Sequence, residues 1–309
     1  MFKYIMNIVY SFIGKLPEYT IHSIHQTRTF FKGKIYLIVD NINDNLLDNI
    51  KKYNVTIINY NTVVDKEIIK YHRRFNICHC PGRELLFFRS TERFFLVKNL
   101  IKLLNLENVL FIEIDNLLYN DPNVWLQTLS KFNFSLMYTG KNHLSSGICF
   151  IKNFNVIQDI TQKIINFINS EESLKMPCLN EMKILYSIKN TIDGLHLLPG
   201  IWENDSAFIK EMYENYELFN SIFDPGSIGT FLFGHEPANM GGKIVKGLQL
   251  NKYFSDTYDY SKHKIEFHLD EKARKIPYII NDNCEKIRIN ILHIYSKDLV
   301  SALSKDMLN

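Results

Sequence analysis

Two rhythms of apolar and polar positions alternate along the first half of the chain. Residues Asn7–Phe12, Lys34–Val39 and Val55–Asn59 are short runs rich in β-branched and aromatic side chains, which predicts strands. The segments between them, residues 18–31 and 46–53, mix polar and apolar positions as helices do. Strand, helix, strand, helix, strand at this spacing predicts a parallel sheet joined by right-handed crossovers. Farther on, residues 92–105 place Phe94, Val97, Ile101 and Leu104 at helical spacing, with Lys98 and Lys102 off that face. Val109-Leu-Phe-Ile112 is continuously apolar, as in a strand covered on both faces. Residues 122–131 predict a helix opened by Asp121-Pro122, and 134–138 and 144–151 predict strands. Residues 154–169 predict a helix with Ile157, Ile160, Ile164 and Ile168 on one stripe, and 180–188 a shorter helix. The last third is less periodic. Ile222–Gly234 is rich in glycine around Asp224, which suggests a tight turn into a packed helix, and Gly241-Gly242 marks another turn. Ile287–Leu292 alternates as a strand.

The candidate chemistry starts where the strand at 109–112 runs into Glu113-Ile114-Asp115. Alternation along a strand would put both carboxylates on one side, at the carboxyl end where α/β sheets bind ligands. Two acids this close repel unless a positive charge lies between them. A divalent cation answers that need, and oxygen ligands suit Mn²⁺ or Mg²⁺. The alternative is a surface turn capped by the next helix. His293 follows the strand at 287–292, and its neutral imidazole can complete a metal shell begun by carboxylates. Lys297, shortly after, can hold a diphosphate as a point charge. Either side chain can equally make an ordinary polar contact.

Other candidates are spread along the chain. His72-Arg73-Arg74, Arg83, Arg89 and Arg93 concentrate positive charge ahead of the acidic strand. Arg93, at the start of the predicted helix, is aimed at phosphate or paired with Glu92 or a nearby acid. Asp40, at the end of the second strand, contacts a base or ribose, or caps a helix. Ser145 and Ser146 offer hydroxyls beside Gly147, where backbone can approach closely. Glu181 lies in the first turn of its helix, where the dipole alone accounts for an acid. Neither GxGxxG nor GxxxxGK[ST] occurs, so any nucleotide is held by other means.

A formal charge of +3, from 36 Lys+Arg and 33 Asp+Glu, argues against a nucleic-acid coat. The five cysteines, Cys78, Cys80, Cys149, Cys178 and Cys284, show no paired CxxC spacing. Cys78-His79-Cys80 is half a soft-metal pattern without a second half, so reduced thiols and a cytoplasmic location are expected. No stretch is long and apolar enough for a membrane helix.

A hydrophobic strand, acid-x-acid, then a helix opened by Asp-Pro resembles the DXD element of GT-A glycosyltransferases, written here Glu113-Ile114-Asp115. Glu92-Arg-Phe-Phe, Ser145-Ser-Gly-Ile-Cys-Phe-Ile151, Phe223-Asp-Pro-Gly-Ser-Ile-Gly229 and Leu292-His-Ile-Tyr-Ser-Lys297 resemble the glycosyltransferases of large DNA viruses and some bacteria, the chlorella-virus enzymes of capsid glycans among them. The resemblance covers most of the chain. It implies a Rossmann-like GT-A fold with a mixed, mostly parallel central sheet flanked by helices. It implies one domain over 1–309, with 1–140 as the nucleotide-binding half and 141–309 as the acceptor side and C-terminal metal element. The implied activity is metal-dependent transfer of a hexosyl or deoxyhexosyl unit from a nucleoside-diphosphate sugar to a glycan hydroxyl, in the cytoplasm of a cell that a virus can have infected. Asp115 and His293 would be metal ligands, Glu113 would serve metal or ribose, and Lys297 the diphosphate. Asp224 and Glu181 would be the candidate bases of an inverting enzyme, with Asp205 behind them. Two departures stand out: the first acid is Glu, and the His-to-Lys spacing differs from the glycogenin-like pattern. Two other readings remain, a sugar nucleotidyltransferase, for which Gly14-Lys15 is a poor phosphate loop, and a catalytically silent sugar-binding protein.

Overall fold

A computed structural model describes residues 5–75, 84–140, 142–176, 178–203, 210–235, 246 and 260–305. Strands β1 (Asn7–Phe12), β2 (Lys34–Val39) and β3 (Val55–Asn59) form where the apolar runs predict them, with helices α1 (Thr20–Phe30) and α2 (Leu46–Lys51) between. Three short helical turns, α3 (Tyr60–Val63), α4 (Lys66–Ile69) and α5 (His72–Phe75), precede the long α6 (Glu84–Leu104). Then follow β4 (Val109–Ile112), β5 (Asn116–Leu118), α7 (Asn123–Leu129), β6 (Phe134–Gly140), β7 (His143–Ile151), α8 (Phe154–Ile168), α9 (Glu171–Lys175), α10 (Glu181–Ile188) and β8 (Leu195–Leu197). The chain continues through α11 (Tyr216–Phe219), β9 (Ser221–Ile222), α12 (Ser227–Phe233), β10 (Lys264–Leu269), β11 (Lys275–Ile280), β12 (Lys286–Ile289) and β13 (Ile291–His293).

The central sheet has seven strands in the order β3-β2-β1-β4-β7-β6-β8. Its pairs are parallel except where β7 runs against β4 and β6. It is thus the mixed, mostly parallel α/β sheet that the sequence implies. The reversal of β7 brings its first residues, around Ser145–Gly147, to the end of β4 that leads into Glu113.

Side chains explain the local fits. Asn153 caps α8 by accepting from the Val156 N–H at 3.2 Å, and Asn180 caps α10 by accepting from Lys183 at 3.0 Å. The isoleucine stripe of α8 is buried, and each such side chain contributes about 2 kcal/mol of burial. Arg28, in the last turn of α1, donates to the carbonyls of Phe31, Gly33, Tyr53 and Asn54, which ties α1 to the entries of β2 and β3.

Four expectations change. Helix α6 starts at Glu84 rather than Glu92, so Arg93 lies mid-helix. The Thr91 hydroxyl donates back to the Phe87 carbonyl at 3.0 Å inside the helix. The run at 287–292 is two strands in two sheets, broken at buried Asn290: β12 joins β10, β11 and β9, whereas β13 pairs with β5. The β10–β11 hairpin is an element the sequence reading did not include, although Lys264–Leu269 alternates plainly. Finally, Cys149 and Cys284 are free thiols but Cys178 is disulfide-bonded, against the expectation of five reduced cysteines. CxxC spacing reports neighbours in sequence, whereas a disulfide needs proximity in space. Cys78, His79, Cys80, Arg83, Asp205, Gly241 and Gly242 lie outside the described residues. No helix among the described residues is long and apolar enough to cross a membrane.

One buried group makes the packing pH-sensitive. The His196 imidazole, on β8, stacks on Phe132 with ring centroids 3.8 Å apart. Burial pushes its pKa down to about 4, with Asn215 acting weakly in the other direction. The unfolded chain therefore binds a proton near pH 6.5 that the folded chain refuses until about pH 4. Stability falls as pH drops through that window, by about 3 kcal/mol from this group. His196→Phe, which keeps the stack, is expected to lessen the drop in melting temperature between pH 7 and pH 4.5. An unchanged acid dependence would assign the loss to other groups.

Candidate active site

Glu113, Ile114 and Asp115 do not continue β4. They form a turn to β5 in which the Asn116 N–H donates to the Glu113 carbonyl at 3.0 Å and the Glu113 N–H donates to the Gly147 carbonyl at 2.9 Å. The carboxylates converge through this turn, and not through alternation along a strand. β13 runs antiparallel to β5, with His293 directly opposite Asn116, and the Ile294 N–H donates to the Asp115 carbonyl at 2.9 Å. As a result Glu113, Asp115 and His293 each offer one ligand atom, all within 4.8 Å of one another. Two carboxylate oxygens and an imidazole nitrogen are a donor set that suits Mn²⁺ or Mg²⁺. The structure thus brings together the acids and the histidine, which lie far apart in sequence.

Each acid already faces a cation. The Lys297 ammonium donates to Asp115 Oδ2 in a close ion pair, and His293 Nε2 stands 3.3 Å from the same oxygen. Burial opposes charge on Asp115, but Lys297 and His293 outweigh it and hold its carboxyl far below the usual range. Burial likewise opposes an imidazolium at His293, and Asp115 more than offsets it, so its pKa rises. Lys297 is raised for the same reason. The ring of His293 stacks on Tyr295 at 4.3 Å and an interplanar angle of 13°, which sets its orientation.

Arg93 binds acids rather than standing open for phosphate. Its guanidinium pairs closely with Glu113, reaches Glu181 at 3.3 Å and donates to Ser146 Oγ at 2.6 Å. Glu92, its expected alternative partner, instead accepts from Arg89 at 2.5 Å and from the Tyr60 hydroxyl at 2.7 Å. Glu181 opens α10 and is buried, and it also accepts from the Ser90 hydroxyl at 2.6 Å. Burial raises its pKa, with Arg93 and Ser90 acting the other way. Ser146 is buried with its hydroxyl on Arg93. A Cβ at Gly147 would stand 3.1 Å from Glu113 Oε2 and 3.3 Å from Ser145 Oγ, so a side chain there would crowd the acid.

Two candidates lie in other settings. Asp40 is exposed and accepts from the Gly14 N–H at 3.0 Å, closing the turn after β1, where Gly14 has φ +120°. Asp224 is fully buried. Its oxygens accept the N–H groups of Gly226, Ile228, Gly229 and His293 at 2.8, 2.9, 2.8 and 3.1 Å. Burial raises its pKa against those four donors. Asp224 therefore joins the start of α12 to β13, and both oxygens are engaged. Gly229 is needed there because a Cβ would come within 1.9 Å of the His293 carbonyl oxygen. Three contributors escaped the sequence reading: Ser90, Tyr295 and Asn116, whose amide is buried without a partner among the described residues. Only Asn116, next to the acids, had a signal in its position.

A separate cavity of about 590 Å³ is lined by Trp202, Lys210, Tyr213, Glu214, Asn215, Tyr216 and Glu217, none of them a predicted site residue.

No protein-family model and no curated protein matches the chain. Solved structures similar to it are glycosyltransferases. GlyE of Streptococcus pneumoniae TIGR4 is 13% identical over 62% of this chain and 45% of its own, with a TM-score of 0.44. Mouse xyloside xylosyltransferase 1 is 8% identical over 63% of this chain and 86% of its own, with a TM-score of 0.45. A glycosyltransferase involved in glycosylation of the major capsid of PBCV-1 is 11% identical over 70% and 92%, with a TM-score of 0.35. The chain thus spans less than half of the GlyE structure and most of the other two.

Asp224→Ala removes the acceptor of four buried N–H groups, each costing about 1 kcal/mol or more when left unpaired. It is expected to lower the melting temperature by ten degrees or more. A variant that melts like wild type would show that the clamp contributes nothing.

Proposed function

We propose that the chain is a metal-dependent glycosyltransferase that moves a hexosyl or deoxyhexosyl unit from a nucleoside-diphosphate sugar to a hydroxyl of a glycan. The observation that carries this reading is the meeting of Glu113, Asp115 and His293 within 4.8 Å, with Lys297 against Asp115. Residues 1–140 would hold the nucleotide, with Asp40 at its outer edge, and 141–309 the acceptor. The cavity between Trp202, Tyr213 and Tyr216 is where we put the glycan, since aromatic faces cover the apolar faces of sugar rings and Glu214 and Glu217 accept hydroxyls.

Glu113, Asp115 and His293 would bind Mn²⁺ or Mg²⁺, which supplies Lewis-acid stabilisation of the departing diphosphate. Lys297 adds a point charge to the same leaving group, most strongly as negative charge develops in the transition state. Arg93 fixes the orientation of Glu113 and neutralises part of its charge. Ser146 and Ser90 hold Arg93 and Glu181 in place. Glu181, with its raised pKa, is the carboxylate we assign to proton uptake from the acceptor hydroxyl. Asp224 is left out of proton transfer because it is wholly buried under four backbone N–H groups, whereas the Glu181 side chain keeps 10% exposure; the part of Asp224 is to hold the strand of His293.

The test is release of nucleoside diphosphate from a set of nucleotide sugars, with and without Mn²⁺. Metal-dependent release from one donor supports the transferase, pyrophosphate exchange supports a nucleotidyltransferase, and no donor binding supports a silent fold. Asp115→Ala is expected to cut metal-dependent release at least a thousandfold while leaving a cooperative melt. Full turnover in that variant would remove the site. His293→Ala is expected to lose less, about ten- to a hundredfold, and to recover in part with excess metal. An unchanged apparent metal affinity would take His293 out of the shell.

A further inference from the structure

We propose that Lys297 is a stand-in cation for the metal: its ammonium holds Asp115 until a diphosphate draws it away, so the free protein takes up metal weakly and the protein with diphosphate takes it up tightly. This rests on the glycosyltransferase reading and adds to it a rule for the order of loading.

The argument begins with which cation can leave. Glu113 and Asp115 each carry one positive partner, but the two partners are held differently. Arg93 has 8% side-chain exposure and is tied to Glu113, Glu181 and Ser146 at once. Its planar fork cannot swing away without breaking all three contacts. Lys297 has 30% side-chain exposure, and among the described residues its one ion pair is with Asp115. A lysine stem is long and flexible, and its ammonium is a point charge that can exchange one anion for another.

The backbone below it is fixed, and among the described residues the head has one ion-pair partner, Asp115. The Lys297 N–H donates to the Ile294 carbonyl at 3.0 Å, and Ile294 in turn donates to Asp115 at 2.9 Å. The residue takes φ 63°, in the left-handed region. The ammonium lies 6.0 Å from the Tyr19 ring and 5.8 Å from that of Tyr295, two aromatic faces that can accompany a cation as it moves.

Charge then sets the coupling. Three carboxylates, Glu113, Asp115 and Glu181, face the two permanent cations Arg93 and Lys297, with the His293 imidazole on the same Asp115 oxygen as Lys297. A divalent ion arriving alone would meet an ammonium on Asp115 Oδ2, the oxygen that also faces His293. A diphosphate supplies the alternative anion for that ammonium and frees the oxygen.

The experiment is a titration of the full chain with Mn²⁺, without nucleotide and then with UDP or GDP, following free Mn²⁺ by electron paramagnetic resonance. Lys297→Met keeps the stem and removes the charge. It is expected to bind Mn²⁺ alone at least tenfold more tightly than wild type, while Lys297→Arg, which restores a cation, binds no more tightly than wild type. Melting curves establish that both variants fold. Equal or weaker Mn²⁺ binding by a folded Lys297→Met overturns the stand-in role and leaves the metal site intact. Absence of Mn²⁺ binding in every protein, with UDP or GDP present, overturns both this inference and the glycosyltransferase reading.

Discussion

The site depends on a buried carboxylate outside it. Asp224 accepts three N–H groups at the start of α12 and a fourth from His293, and the close approach of Gly229 to the His293 carbonyl leaves no slack between helix and strand. A carboxylate away from water is tolerable only when donors satisfy both oxygens. Here the donors are backbone, so the group that meets this demand also fixes a strand. β13 then pairs with β5, and that register sets the distance between His293 and the acids. The carboxylate that resembled a catalytic base in sequence is thus the reason the histidine stands where it does.

Around that joint, opposite charges interleave. Lys297 and His293 lie on Asp115, and Arg93 lies between Glu113 and Glu181. Each ion pair is half-buried or deeper, where mutual attraction is stronger than at the surface but desolvation is costly. Breaking one partner is therefore more disruptive than its contact alone implies.

The parts of this architecture that follow from local rules were legible in sequence. Strands β1, β2 and β3 have the bounds that their apolar runs suggest: β2 is buried from Ile35 to Val39, β1 has a buried centre, and β3, at the sheet edge, is marked by its β-branched residues. The isoleucine stripe of α8 and the cap at Asn153 are equally local. Glu113, Asp115 and His293 stood out by residue type and position, yet the turn that makes the acids converge did not. Nor did Asn290, where a single alternating run changes sheets. These features depend on partners far along the chain: Asn290 bonds to Ser221 and Tyr119, and Asp224 to His293. A side chain's partners decide its task and sequence does not name them: Arg93 meets Glu113 and Glu181, and Asp224 meets the backbone of α12 and β13.

The β5–β13 ribbon has a consequence for biosynthesis. The ion pair that completes the site joins residues 182 positions apart, and closing so wide a loop becomes favourable only when the intervening layers have packed. A chain emerging from the ribosome carries its acidic turn long before the histidine and lysine exist to meet it. The cluster of Glu113, Asp115 and His293 would therefore assemble late in folding, after the layers between its members have packed.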